Sequence, residues 1–183
     1  MDEARLEQRD EGLTAVTDGW FVVNVRDGPW VHNEVLGAAA IFEGEEAPFQ
    51  QLGFTLGVLQ PGQSGGMYHR ESNQEDFLVL AGEALAIVEG EERPLKAWDF
   101  LHCPPGTDHI IVGAGDGPCV VFMTGARLVE KEVVYPRSEV ALRHGAGVEA
   151  DTSDRNVAYA PFPKWQPGPP PSFDRLPLDL SKP

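Results

Sequence analysis

Short runs of Val, Ile, Phe and Trp, separated by Gly, Pro, Asp and Asn, follow one another from residue 20 to residue 125. Runs of this length are typical of brief β-strands, and the Gly and Pro residues between them supply the tight reversals of hairpins. No helical pattern of useful length interrupts them, which disfavours parallel βαβ units. The sequence therefore predicts an all-β fold, either an antiparallel sandwich or a small barrel. The predicted strands span residues 20–25, 38–42, 50–59, 76–81, 84–89, 99–103, 109–112 and 119–125.

Composition and charge limit the classes of partner that this chain can bind. The 183 residues are 42% hydrophobic and 23% charged, a balance that supports one folded core and excludes a disordered chain. With 29 Asp and Glu against 14 Lys and Arg, the net charge is −15, so nucleic acids and anionic membrane surfaces should be repelled. Apolar runs stay far below the twenty or so residues of a spanning helix. We expect no nucleic-acid partner and no membrane partner.

The first residues also bear on the compartment of the protein. They are acidic and polar, whereas a secretory signal is basic and then apolar. This favours a cytoplasmic protein. Its two cysteines, Cys103 and Cys119, are then expected to be reduced and partly buried.

The chain divides into three regions of different amino-acid composition. Residues 1–19 carry alternating charges without a wide apolar stripe, and we expect an N-terminal arm there. Residues 20–130 hold the strand-like runs and form the predicted β-barrel domain. Residues 131–183 form a C-terminal extension, which begins with a short helix and continues as a proline-rich arm.

The two parts of the C-terminal extension follow from local signals. Ser138 and Gly145 flank residues 139–144 and supply an N-cap and a C-terminal stop for a short helix. Residues 161–183 hold eight of the 16 prolines, a composition that favours extended chain. Trp165 lies among these prolines, and we predict that the arm covers the barrel or embraces a partner subunit.

Four ionisable side chains have the spacing of a metal site. His69 and Glu71 are two residues apart, so on a strand both side chains point to the same face. Glu75 directly precedes the predicted strand over residues 76–81, and His109 comes three residues after a Pro-Pro-Gly turn. If these strands run side by side in a narrow barrel, the side chains converge, and buried carboxylates then need a cation.

Residues 62–82, around His69, and residues 98–113, around His109, resemble the paired motifs of the cupin superfamily. The first family motif is Gly, a spacer, His-x-His, three or four residues, Glu, six residues and Gly. The second is Gly, five residues, Pro-x-Gly, two residues, His, three residues and Asn. The first motif is matched by Gly62, His69, Glu71 in place of the second His, Glu75 and Gly82. The second is matched by Trp98 in place of Gly, Pro104, Gly106, His109, and Gly113 in place of Asn.

The resemblance implies a cupin-type double-stranded β-helix, or jelly-roll barrel, that holds one divalent metal. By resemblance the metal lies between His69, Glu71, Glu75 and His109. Alternatively Glu71 faces water, which leaves two histidines and one carboxylate, a set similar to the facial triad of non-haem iron enzymes. Mn, Fe, Zn and Ni all suit such nitrogen and oxygen ligands, so the identity of the metal stays open.

The function that the resemblance implies is that of a metal-dependent enzyme acting on a small molecule, with dioxygenase or isomerase-like chemistry. The alternative is a non-catalytic cupin that binds a small ligand or serves as a scaffold, because the fold alone does not decide function. The resemblance also implies a homodimer.

Overall fold

Fourteen strands and two short helices form in the part of the chain that the computed structural model describes, residues 2–128 and 130–172. The strands are β1 (Leu6–Arg9), β2 (Gly12–Ala15), β3 (Trp30–Asn33), β4 (Gly37–Ile41), β5 (Leu52–Leu59), β6 (Arg70–Glu71), β7 (Glu75–Ala81), β8 (Glu83–Val88), β9 (Glu91–Lys96), β10 (Phe100–Cys103), β11 (His109–Ala114), β12 (Cys119–Ala126), β13 (Val133–Val134) and β14 (Gln166–Pro167). The helices are α1 (Glu139–Arg143) and α2 (Arg155–Tyr159). The prediction of an all-β core is confirmed.

Two antiparallel sheets enclose the core. The larger sheet has the order β10-β7-β12-β5-β4-β3-β14, and the smaller one has the order β11-β8-β9. Bridges from Ser64 to Val112 and from His69 to His109 attach the chain before β6 to the free side of β11. Residues from both sheets, among them Val79 and Ile111, pack into one buried cluster. The site described below lies at one end of this sandwich.

Strand β7 shows how the sequence pattern sets the faces of the sheet. Phe77, Val79 and Ala81 are buried, whereas the residues between them are only partly buried. This is the period of two that a half-buried strand requires. The strand ends at Gly82, whose φ is +74°, and a Cβ there would lie 2.5 Å from the carbonyl oxygen of Pro118. Only glycine fits that turn without backbone movement.

The N-terminal region differs from the prediction, because β1, β2 and β3 form where no strand is predicted and the strand predicted over residues 20–25 does not form. Residues 6–15 form the β1–β2 hairpin, whereas residues 20–25 are not a strand and make only one bridge, between Trp20 and Glu3. The apolar residues of this segment do not complete a buried face, because Val22 is 81% exposed. Instead, Val25 packs against Trp30, and its carbonyl accepts a hydrogen bond of 2.7 Å from the Trp30 indole.

The C-terminal extension lies against the β-sandwich of its own chain. Helix α1 forms where the sequence predicts it, with Ser138 as its N-cap. Strand β14 pairs with β3, and the Asn33 side chain donates to the carbonyl of Pro163 at 2.7 Å. The proline-rich arm beyond residue 172 lies outside the described residues. No helix in the described part of the chain is long and apolar enough to cross a membrane.

Candidate metal centre

His69 and His109 are a directly opposed cross-strand pair. The backbone N–H of each donates to the carbonyl of the other, at 3.1 Å from His69 and 2.8 Å from His109. Opposed residues of an antiparallel pair project to the same face, so the two imidazoles lie side by side. Their ring centroids are 4.9 Å apart. The local backbone therefore brings together two histidines that are forty residues apart in the sequence.

Glu75 approaches both histidines from strand β7. Its Oε2 lies 3.0 Å from Nε2 of His69 and 3.1 Å from Nε2 of His109. The ligand atoms of all three residues lie within 4.8 Å of one another. On the larger sheet Glu75 lies opposite Gly125 of β12. Three of the four predicted metal ligands thus converge.

The protonation of the His69 and His109 rings at Nδ1 favours a cation between their Nε2 atoms and Glu75. Nδ1 of His69 lies 2.8 Å from the carbonyl of Met67, and Nδ1 of His109 lies 2.9 Å from the carbonyl of Thr107. Because a carbonyl only accepts, each Nδ1 carries a proton, and each neutral ring then directs the lone pair of Nε2 at Glu75. Lone pairs facing a carboxylate need either a second proton on each ring or a metal ion.

Two of the three spacings between the ligand atoms also fit a metal ion. With bonds of about 2.1 Å, neighbouring ligands of one metal ion lie about 3.0 to 3.4 Å apart. The two distances from Glu75 to the histidines fall in this range. Nitrogen and carboxylate ligands suit Mn, Fe, Ni and Zn. The residues present therefore fit one divalent metal.

Without a metal, the three side chains alter one another's protonation. Burial alone would raise the pKa of Glu75, but hydrogen bonds and positive charge from His109 and His69 hold it well below its usual range. Burial alone would lower the pKa of His109, yet the Cys103 side chain and Glu75 raise it to about 10. The metal-free site thus holds a carboxylate beside an imidazolium, and a metal ion must displace that proton.

Glu71, the fourth predicted ligand, has a different partner. Its side chain is 2% exposed, and its carboxylate contacts the ammonium group of Lys131. Pairing of β6 with β13 sets Glu71 opposite Val133 and so brings Lys131 close. Glu71 still lines the same cavity as the other three residues but is not part of their cluster. Its assignment as a metal ligand stays a prediction.

A cavity of about 340 Å³ opens beside the three clustered ligands. Its apolar wall includes Phe77, Ile111 and Met123. Arg127 and Glu43 form an ion pair at its edge. A cavity of this size, with both apolar and polar side chains in its wall, suits a small molecule.

The C-terminal extension contributes residues that the sequence analysis does not identify. The ring of Tyr135 lies 6.0 Å from that of His69, and the Tyr159 hydroxyl accepts a hydrogen bond from the backbone of Met67 at 3.2 Å. Burial raises the pKa of Tyr135 to about 12, so its hydroxyl keeps its proton at neutral pH. The one available signal is that the extension holds two of the three tyrosines of the chain.

The remaining histidines lie apart from the centre. His102 pairs with Asp76 at 2.6 Å, His144 pairs with Glu92 at 2.9 Å, and His32 contacts the carbonyl of Pro169 at 2.6 Å. The two cysteines are free thiols, and both are buried more completely than the sequence predicts.

Comparisons with known proteins agree with this architecture. Residues 55–125 match the family model described as Cupin domain, whereas no curated protein matches the sequence. The polyketide cyclase RemF from Streptomyces resistomycificus is 14% identical over 60% of this chain and 80% of its own, with a TM-score of 0.51. Such a likeness shows the fold alone.

Two further solved structures are similar over part of their length. A sugar phosphate isomerase of the cupin superfamily from Silicibacter pomeroyi is 19% identical over 76% of this chain and 82% of its own, with a TM-score of 0.47. A proposed sugar phosphate isomerase from Acidithiobacillus ferrooxidans is 24% identical over 53% of this chain, with a TM-score of 0.47. The match spans 64% of the length of the Acidithiobacillus protein.

Proposed function

Because this chain belongs to the cupin superfamily and has its double-stranded β-helix, we propose that it is a metal-dependent enzyme that acts on a small molecule. One divalent metal, Mn, Fe, Zn or Ni, is held by His69, Glu75 and His109. The observation that carries this proposal is the convergence of two Nε2 atoms on Glu75 at 3.0 and 3.1 Å, with both Nδ1 atoms already bonded to backbone carbonyls.

Each part of the site has a role in this proposal. A bound divalent metal supplies Lewis acidity and coordination positions for oxygen atoms, which suits oxygenase and isomerase-like chemistry alike. The two histidines offer fixed lone pairs, and Glu75 offsets one positive charge. Phe77, Ile111 and Met123 reduce the water around a bound molecule. Lys131, beside Glu71 at the same cavity, supplies a positive charge and a proton donor.

Elemental analysis of the purified, untagged protein tests this proposal. We expect about one equivalent of Mn, Fe, Ni or Zn per chain, with the metal lost in Glu75→Gln and His109→Gln. His102→Gln is a matched control, because His102 pairs with Asp76 away from the cluster and should leave the metal content unchanged. Circular dichroism verifies that each variant is folded. A parent protein that binds no metal even after anaerobic reconstitution would contradict the proposal.

A non-catalytic cupin that binds a small ligand is the second candidate. The observation that favours it is the Glu71–Lys131 pair, because Glu71 stands where the first motif has its second histidine. In that case the cavity would bind its ligand equally well with and without metal. Ligand screening of both forms distinguishes the two candidates.

The homodimer implied by the family resemblance stays a prediction. Trp98 and Phe100 are 51% and 63% exposed next to and on β10, the edge strand of the larger sheet. Light scattering coupled to size exclusion should give twice the chain mass of 19.9 kDa. A monomer would contradict the prediction.

A further inference from the structure

A second, smaller cavity of about 200 Å³ adjoins the metal centre. It shares His69, Lys131 and Tyr159 with the larger cavity, and Val133, Tyr135 and Arg155 complete its wall. A molecule that fills both cavities would therefore pass directly beside His69. This wall, apart from His69, comes from the C-terminal extension and not from the strands that carry the other ligands.

Two cationic side chains line this small cavity in a chain whose net charge is −15. The Arg155 guanidinium lies over the ring of Tyr159, with its central carbon 5.5 Å from the ring centroid. Among the described residues, no carboxylate lies within ion-pair distance of Arg155. The face of a guanidinium can stack on a ring while its N–H groups stay available to an oxyanion.

Two hydroxyl groups add neutral donors. The Tyr159 oxygen accepts the hydrogen bond from Met67, which leaves its O–H proton to donate elsewhere. In the part of the chain that the structure describes, the Tyr135 hydroxyl has no hydrogen-bond partner, although its residue is only 5% exposed. The negative groups nearby are Glu71, which contacts Lys131, and Glu75 in the metal centre. Arg155 therefore provides the positive charge that no carboxylate offsets.

On the basis of the proposed function, we infer that this small cavity is an oxyanion subsite, in which Lys131, Arg155, Tyr135 and Tyr159 bind a carboxylate or phosphate group of the substrate. The substrate class is then a small anionic molecule whose remaining oxygen atoms extend past His69 into the larger cavity. Charged and bidentate donors of this kind are the groups that recognise carboxylate and phosphate.

The test uses the full chain labelled with nitrogen-15, loaded with Zn²⁺, and titrated with inorganic phosphate and with acetate while amide and Arg155 Nε–H resonances are followed. A metal-free sample is titrated in parallel, because phosphate bound to the metal alone needs no cation from the extension. We expect Lys131→Gln and Arg155→Gln each to weaken binding of the preferred anion about tenfold. The comparison of the two anions shows whether phosphate or carboxylate is preferred.

Lys96→Gln and Arg143→Gln are controls of equal charge, because both side chains are exposed and neither lines this cavity. Equal affinity in all four variants would overturn the inference, as would shifts confined to the metal ligands. Metal content is measured on the same samples. If the chain retains no metal while anion binding still depends on Lys131 and Arg155, the subsite stands and the proposed metal enzyme fails. If metal is retained but anion binding does not depend on Lys131 and Arg155, the subsite fails and the proposed metal enzyme stands.

Discussion

Metal binding should remain strongly dependent on pH well above the range of an ordinary histidine. In the metal-free protein the neighbours of His109 raise its pKa to about 10, against an ordinary value of 6.5. The protonated ring cannot coordinate, so the metal competes with one proton at every pH below that pKa. Apparent affinity should therefore increase about tenfold per pH unit, or about 100-fold between pH 7 and pH 9.

Calorimetry can measure this dependence directly. Mn²⁺ is titrated into metal-free protein at pH 7, 8 and 9, in pairs of buffers with different ionisation enthalpies. Release of about one proton from His109 is expected at pH 8, whereas a histidine of ordinary pKa would already be neutral there. His102→Gln should keep the same slope, because its partner is Asp76. Constant affinity above pH 7, with no proton released, would refute the reasoning.

Three further predictions concern the framework of the site. Gly82→Ala should lower the free energy of unfolding by about 2 kcal/mol or more, because φ at Gly82 is +74° and the Pro118 carbonyl blocks a Cβ. Urea denaturation measures this change, and a loss below about 0.5 kcal/mol would contradict the prediction. Asn33→Ala removes the hydrogen bond to Pro163 and should speed proteolysis of the extension, and an unchanged cleavage rate would argue against docking by that contact. Ser138→Ala should cost about 1 kcal/mol through loss of the N-cap of α1, whereas Ser138→Asp should retain most of the stability.

Local patterns predict much of the β-strand core. Strand alternation places Phe77 and Val79 inside, and this prediction succeeds because it depends only on a period of two. Glu75 and His109 lie 34 positions apart, so their convergence follows from the family resemblance and not from a local pattern, and their role as metal ligands stays a prediction. Strand β9 is not predicted, because its Glu, Arg, Pro and Lys residues have low strand propensity. It forms because β8 offers a complete edge for pairing.

The partners of the site that come from the extension could not be predicted in the same way. Lys131 neutralises Glu71 only because β13 pairs with β6, and two-residue strands leave no recognisable pattern. Tyr159 reaches Met67 across 92 positions of sequence, through a helix of five residues. Such contacts depend on how an extension docks, which is a property of the finished surface of the barrel and not of any local run of residues.

Backbone carbonyl groups fix Nδ1 of both histidines in the candidate metal centre. Each Nδ1 bonds to the carbonyl two positions earlier in the chain, that of Met67 for His69 and that of Thr107 for His109. In many metal sites a carboxylate performs this task, and its replacement lowers metal affinity. Here substitution of Met67 or Thr107 leaves the orienting carbonyl in place. Mutational drift can therefore remodel the cavity around the two histidines without disturbing the nitrogen atoms that would hold a metal ion.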